Sequence, residues 1–200
     1  MGFNKRQKEI VIGMILGDAF IQATGKNNAR LRLEHSSKQK DYIFWKYNEL
    51  KNMMQSAPKL LKRYNPIWKT TYHYYRCQSL SSPEFGKLRR LFYEDGKKII
   101  PEDIVSILKN PISLAVWYMD DGYLYQRDRS AYIYLSLFQD EEINRLRSAL
   151  ESNFSLKPTI LVKKQKYRCL YFNVDEAKKL ISLIKPYIIP SLQYKLLLAL

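Results

Sequence analysis

Two nine-residue runs constrain this chain more than any other feature: Val11-Ile12-Gly13-Met14-Ile15-Leu16-Gly17-Asp18-Ala19 and Leu114-Ala115-Val116-Trp117-Tyr118-Met119-Asp120-Asp121-Gly122. Each reads as an apolar helix that stops at an Asp followed by a small residue, one in each half. A carboxylate in the last turn of a helix faces the negative end of the helix dipole, a mismatch of about 0.3–1 kcal/mol. The mismatch occurs twice, and a divalent cation held between Asp18 and Asp121 would offset both.

The surrounding signals also return in order. After Asp18 come Phe20-Ile21-Gln22, the turn-rich Gly25-Lys26-Asn27-Asn28 and the strict alternation Arg30-Leu31-Arg32-Leu33-Glu34, which predict a hairpin with one face buried. After Asp121 come Tyr123-Leu124-Tyr125, the polar Arg127-Asp128-Arg129-Ser130 and Tyr132-Ile133-Tyr134-Leu135-Ser136-Leu137, which predict another. A helix follows each hairpin, over Lys38 to Met54 and Glu141 to Phe154, and then two strands. In those strands Tyr75-Arg76-Cys77 echoes Tyr167-Arg168-Cys169. A third helix spans Phe85–Phe92, opened by Ser82-Pro83-Glu84, and its counterpart spans Ala177–Ile184. Ile99-Ile100-Pro101 and Ile188-Ile189-Pro190 close the halves. The order predicts an α+β fold built by tandem α-β-β-α-β-β-α duplication, with repeats at 1–101 and 111–200 and a connector at 102–110.

The 34 basic and 19 acidic side chains give a net charge of +15 and point to a polyanionic partner such as nucleic acid. Residues 1–100 hold 20 of the basic and 8 of the acidic groups, so the positive surface is lopsided. No apolar run approaches the roughly 18 residues a membrane span needs, and the run at Ile10 lacks a signal-peptide cleavage pattern. Gly2 does not begin a myristoylation motif, because Arg6 stands where Ser or Thr is needed. The reading is an intracellular protein with no membrane partner. Cys77 and Cys169 lack zinc-ligand spacing and read as small buried thiols. His35 follows a strand and reads as surface. His73, within Tyr72-His73-Tyr74-Tyr75, suits sheet packing and groove contact equally.

Gly13 and Gly17, at i and i+4, lie on one helix face and permit close approach of a partner helix. On the second helix Ala115 is the small residue, while Val116 stands where the first has Gly13. Paired carboxylates and main-chain oxygens make a hard site suited to Mg2+, with Mn2+ able to substitute. On a basic protein such a site suggests metal-assisted phosphodiester hydrolysis. Gln22, Arg30, Arg32, Glu34, Tyr72, Tyr74 and Arg76 in one half, and Tyr132, Tyr134 and Ser136 in the other, are candidate strand contacts to phosphates and base edges in a major groove. Lys26, Arg127, Arg129 and the pair Lys163-Lys164 are candidate phosphate contacts.

The two runs resemble the signature helices of the LAGLIDADG homing endonucleases; the second keeps the Leu-Ala opening and the Asp-Asp-Gly ending. The resemblance extends to Gly17-Asp18-Ala19-Phe20-Ile21, Lys97-Lys98-Ile99-Ile100-Pro101, Ile184-Lys185-Pro186-Tyr187-Ile188-Ile189-Pro190 and Tyr194-Lys195-Leu196, and covers nearly the whole chain. It implies a single-chain, two-motif homing-endonuclease fold: two antiparallel saddle-shaped sheets gripping duplex DNA, with the motif helices paired at a pseudo-twofold axis. It implies a monomer that cuts across the minor groove and leaves 3′ overhangs. By the same resemblance Asp18 and Asp121 are the catalytic metal ligands, the backbone carbonyls of Gly17 and Asp120 their neighbours, and Lys98 and Lys195 the lysines near the scissile phosphates. Those two lysines are not equivalent within the repeat, since Lys98 precedes its Ile-Ile-Pro and Lys195 follows its own. The expected activity is intron homing by a site-specific DNA endonuclease in the bacterial cytoplasm or an organelle matrix. Two alternatives share its charge and fold: a maturase that binds intron RNA, and a catalytically silent DNA-binding protein.

Overall fold

The computed structural model describes residues 2–135, 138–163 and 167–196; Ser136 and Lys164, two of the expected contacts, lie outside the described residues. In chain order the elements are α1 (Lys5–Leu16), β1 (Phe20–Ala23), β2 (Ala29–Ser36), α2 (Lys40–Glu49), β3 (Lys59–Asn65), β4 (Thr70–Gln78), α3 (Pro83–Phe92), β5 (Tyr93–Glu94), β6 (Lys97–Lys98), α4 (Ile104–Ile107), α5 (Pro111–Asp121), β7 (Gly122–Tyr125), β8 (Ser130–Tyr134), α6 (Asp140–Phe154), β9 (Thr159–Lys163), β10 (Tyr167–Phe172) and α7 (Val174–Ile184). Two antiparallel sheets have the same strand order, β1-β2-β4-β3 and β7-β8-β10-β9, so the predicted duplication is present in the topology. The hairpin β5-β6 is an addition that the repeat did not announce.

The chain divides into two units, Met1–Gln7 with Asp18–Arg90, and Lys8–Gly17 with Leu91–Leu200. In the first, Ala29, Leu31, Leu33 and His35 are buried while Arg30, Arg32, Glu34 and Ser36 are not, so β2 shows the period-2 alternation of a strand covered on one side. The expected helix over Lys38 to Met54 is broken into α2 and two 3-10 turns, Ser37–Gln39 and Lys51–Met53. The Ser36 hydroxyl accepts from the Lys38 amide at the start, and the Leu50 amide reaches back to Asn48 and Tyr47 carbonyls at the end. Gly86 on α3 packs against the Asn27 carbonyl so closely that no Cβ would fit.

In the second unit, Asn110 caps α5 by accepting from the Ile112 amide at 3.1 Å, with Pro111 in the first turn. Helix α6 opens with a capping box in which Glu142 accepts from the Gln139 amide at 2.7 Å. The other Glu142 oxygen accepts from the Ile100 amide at 2.9 Å, which fastens the segment after Lys98 to α6. Asn153 donates to the carbonyls of Val105 and Leu108, both at 2.8 Å, and ties α4 to the same helix.

The register corrects the sequence echo. Phe20 pairs with Arg32 and Tyr123 with Tyr132, which makes Glu34 equivalent to Tyr134. Glu34 pairs with Arg76, whereas Tyr134 pairs with Cys169, so Arg76 is the counterpart of Cys169, and Cys77 that of Leu170. The two Tyr-Arg-Cys triplets are thus offset by one residue, and a one-residue offset puts the cysteines on opposite faces of their sheets. Both cysteines are free and buried, as expected.

Candidate functional site

The motif helices pack within the second unit, which takes in Lys8–Gly17, most of α1 and the residue after it. A Cβ on Gly17 would lie 2.6 Å from that of Asp120, and one on Gly13 would lie 2.7 Å from that of Val116 and collide with the Ser113 carbonyl. Glycine is therefore required at both positions for the backbones to approach. The larger Val116 fills the space that Gly13 leaves, while Ala115 is fully buried in α5. Ser113 Oγ adds hydrogen bonds to the Glu9 carbonyl at 2.8 Å and its carboxylate at 2.9 Å.

The electrostatic mismatch at the helix ends is met by lysines from distant parts of the chain. Lys98 Nζ donates to the Gly17 carbonyl at 2.7 Å. Lys195 Nζ donates to the Met119 carbonyl at 2.6 Å and the Asp120 carbonyl at 3.3 Å. Two lysines at unrelated repeat positions thus land on the carbonyls that precede Asp18 and Asp121, and an ammonium at a helix C-terminus is favourable. Lys98 comes from β6, whose hairpin turns through Asp95 and Gly96 at φ 47° and 77°. Lys195 is held by its own backbone, because its carbonyl accepts from the Tyr118 hydroxyl at 3.0 Å. Burial pushes the Tyr118 phenol well above its usual range, so the hydroxyl keeps its proton for that bond.

Beside Asp18, in the first unit, stands a group the sequence reading missed. His35 is 4% exposed, not at the surface as expected, because its position in β2 points to the covered side with Leu31 and Leu33. A ring nitrogen of His35 and a carboxylate oxygen of Asp18 lie within 4.8 Å of each other. Lys46, on α2, is 0% exposed and its Nζ is 2.9 Å from His35 Nε2. The signal was present in the sequence: Lys46 falls on the stripe Tyr42, Ile43, Lys46, Leu50 that α2 buries.

Register sorts the other candidates by face. Gln22, Arg30, Arg32, Glu34, Arg76, Tyr74 and Tyr72 share the uncovered side of the first sheet. Glu34 accepts from Arg76 at 2.6 Å and from Arg63 at 3.0 Å, and both guanidinium groups lie over the Tyr74 ring. In the second sheet the uncovered side carries Tyr132 and Tyr134 with Lys163, whose Nζ sits 3.4 Å from the Tyr132 ring centre. Lys26 and Arg127 are exposed in the turns between paired strands, with Arg129 beside Arg127 at φ 52°. One face is an arginine-carboxylate lattice, the other a tyrosine platform.

A family model, the LAGLIDADG DNA endonuclease family, matches residues 8–180. The chain belongs to this family. Probable intron-encoded endonuclease 1 of Wickerhamomyces canadensis is 33% identical over 199 residues, covering 97% of this chain and 85% of that protein. Cytochrome b mRNA maturase bI2 of Debaryomyces hansenii is 27% identical over 199 residues, covering 96% of this chain and 74% of that protein. The homing endonuclease I-WcaI, solved bound to its DNA recognition sequence, matches in structure with a TM-score of 0.91 at 32% identity, over 100% of this chain and 89% of that one. The LAGLIDADG likeness thus runs the length of the chain and includes both motif helices. No described helix is long and apolar enough to cross a membrane.

Proposed function

We propose that this chain is a monomeric, site-specific endonuclease of double-stranded DNA, active in intron homing, that hydrolyses phosphodiesters with divalent cations held by Asp18 and Asp121. The two repeats, 1–101 and 111–200 joined through 102–110, each contribute one acidic helix end. The observation that carries the reading is the pair of helix ends at which the carbonyl before each motif Asp accepts a lysine ammonium. Carboxylates and carbonyls are hard oxygen donors, and carbonyls already oriented toward a positive group suit Mg2+ or Mn2+. Such a cation, when bound, supplies charge stabilisation to the attacking and leaving oxygens. Asp18 and Asp121, with the Gly17 and Asp120 carbonyls, would hold it. Lys98 and Lys195 orient water or balance charge at the phosphate, and the two uncovered sheet faces bind the duplex across which cleavage leaves 3′ overhangs. A DNA-bound homing endonuclease as a structural neighbour supports the substrate. The intron-encoded relative supports an organelle matrix or bacterial cytoplasm as the site of action.

The test is selection of a cleaved site from a randomised duplex library with Mg2+, followed by cutting with Asp18→Asn and Asp121→Asn. Wild type enriches one site, and both variants bind it but lose cutting; a wild type that leaves every duplex intact, or variants that cut normally, would overturn the proposal. A second reading, an RNA maturase, is favoured by the likeness to the cytochrome b mRNA maturase. Tighter binding to intron RNA than to the selected duplex, with splicing that depends on the protein, would favour it.

A further inference from the structure

Among the described residues, the three most exposed large apolar side chains sit together in the first unit, at the turn between β3 and β4: Ile67 is 83% exposed, Trp68 71% and Tyr64 60%. Single exposed hydrophobes are ordinary, but a cluster marks an interaction site. The turn is also built to hold them out. Asn65 Oδ1 accepts from the Ile67 amide at 3.0 Å and the Trp68 amide at 3.2 Å, and Thr70 Oγ1 donates to the Trp68 carbonyl at 2.8 Å. Pro66 fixes its own φ, and Lys69 closes the turn at φ 45°. A turn ordered in advance loses little entropy when it meets a partner. The strand turns at 24–28 and 126–129 are polar throughout, so an apolar tip is not a general property of these hairpins.

The strands below the turn carry it clear of the sheet. Strand β2 ends at Ser36, opposite Tyr74, and beyond that pair β3 and β4 continue from Lys62↔His73 to Asn65↔Thr70. That extension is about 13 Å long at roughly 3.3 Å per residue. Both of its faces are open: Lys62, Tyr64, Thr71 and His73 are exposed on one, Arg63, Tyr72 and Thr70 on the other. A two-stranded ribbon of this kind fits a DNA major groove. Its charge suits a polyanion, because between Glu49 and Glu84 the chain carries Lys51, Lys59, Lys62, Arg63, Lys69 and Arg76 and no acidic residue. Arg63 and Tyr72 also continue the uncovered face of Tyr74 and Arg76 outward to the turn. Flat apolar surface within a polyanion is what the bases of a nucleic acid offer.

We propose that Trp68, backed by Ile67, is an apolar wedge that enters one base step of the target duplex where the β3-β4 ribbon ends. The inference rests on the nuclease reading above and adds a specificity element to it. A wedge selects a step by how readily it unstacks, and pyrimidine–purine steps yield most easily, so the step under Trp68 is of that class. Sequence is read there through deformation rather than through hydrogen bonds to base edges.

The experiment uses the full chain and the duplex selected by cleavage, with binding measured without divalent cation. 2-Aminopurine placed at successive positions is expected to brighten at one step with wild type and to stay dark there with Trp68→Ala. Trp68→Ala weakens binding about 10-fold, the usual scale for loss of one base–aromatic contact. Trp68→Phe keeps most of the affinity, while Trp68→Lys, which adds charge without a ring, does not restore it. Replacing the marked step by a purine–purine step weakens wild type and leaves Trp68→Ala unaffected. Because Trp68 is exposed, its loss leaves the urea midpoint in place, so weaker binding does not report damage to the fold. Equal affinity of Trp68→Ala, recovery in Trp68→Lys, or the absence of a step that brightens only with wild type overturns the wedge. So does shielding of Trp68 from acrylamide by a second copy of the chain or by anionic vesicles but not by the duplex; Trp117 is buried and Trp45 half-buried, so quenching follows Trp68. A wild type that cuts its site while Trp68→Ala binds it equally well defeats the wedge alone, whereas a wild type that neither binds nor cuts any duplex defeats the nuclease reading and the wedge with it.

Discussion

At Gly13 a single methyl group is too large. Its Cβ would press on the Ser113 carbonyl and on Val116, both on a helix that is buried from Ile112 to Met119 and has nowhere to retreat. Gly13→Ala is expected to destabilise the fold by about 1–3 kcal/mol, the usual cost of overpacking a core, read as a lower urea midpoint. Glu176 offers a second test. Burial pushes its carboxyl up, but hydrogen bonds from Lys179 at 2.7 Å and the Lys157 amide at 2.6 Å outweigh that and hold it below its ordinary value of 4.5. A lowered folded value means that the unfolded chain binds the proton first. The stabilisation is then present above about pH 4.5 and lost as pH falls through the folded value. Glu176→Gln should flatten that acid limb in urea titrations at stepped pH, while leaving the stability slope near neutrality unchanged.

The hairpin β5-β6 exists because Asp95 and Gly96 both take positive φ, the conformation of a two-residue turn. That hairpin delivers Lys98 to the Gly17 carbonyl. Gly96→Val forces a branched side chain into the left-handed region at a cost of about 1–2 kcal/mol. The expected outcome is a loss of cleavage resembling that of Lys98→Met, with DNA binding retained in a gel-shift assay. The Asp-Gly pair flanked by Glu94 and Lys97 is a hairpin signal in its own right, so this element was legible in the sequence. It was hidden by a repeat-based reading, since among the described residues the second half has no counterpart to it. The Tyr-Arg-Cys echo misled in the opposite way. Three identical residues matched by eye, but register is set by pairing across β2 and β8, and a shift of one residue costs nothing in sequence similarity while reversing which face each side chain takes.

At the scale of the whole molecule, the net charge of +15 makes DNA affinity a salt-dependent quantity. A protein making about 6–10 phosphate contacts loses roughly 10³-fold or more in affinity between about 50 and 200 mM salt. This chain is expected to follow that slope, measured by fluorescence anisotropy on the selected duplex. The lattice of Arg63, Arg76 and Glu34 contrasts with the platform of Tyr132, Tyr134 and Lys163, so alanine at Arg76 should reduce the slope and alanine at Tyr132 should leave it unchanged. The sequence by itself determined the duplicated strand and helix order, the charged partner and the two acidic helix ends, because hydrophobic period and helix-end chemistry are local properties. Tertiary structure alone decided that Lys98 and Lys195 meet equivalent carbonyls and that Lys46 reaches His35. Those contacts join residues from 11 to 81 positions apart on separate elements, and only the folded backbone fixes which side chains face each other.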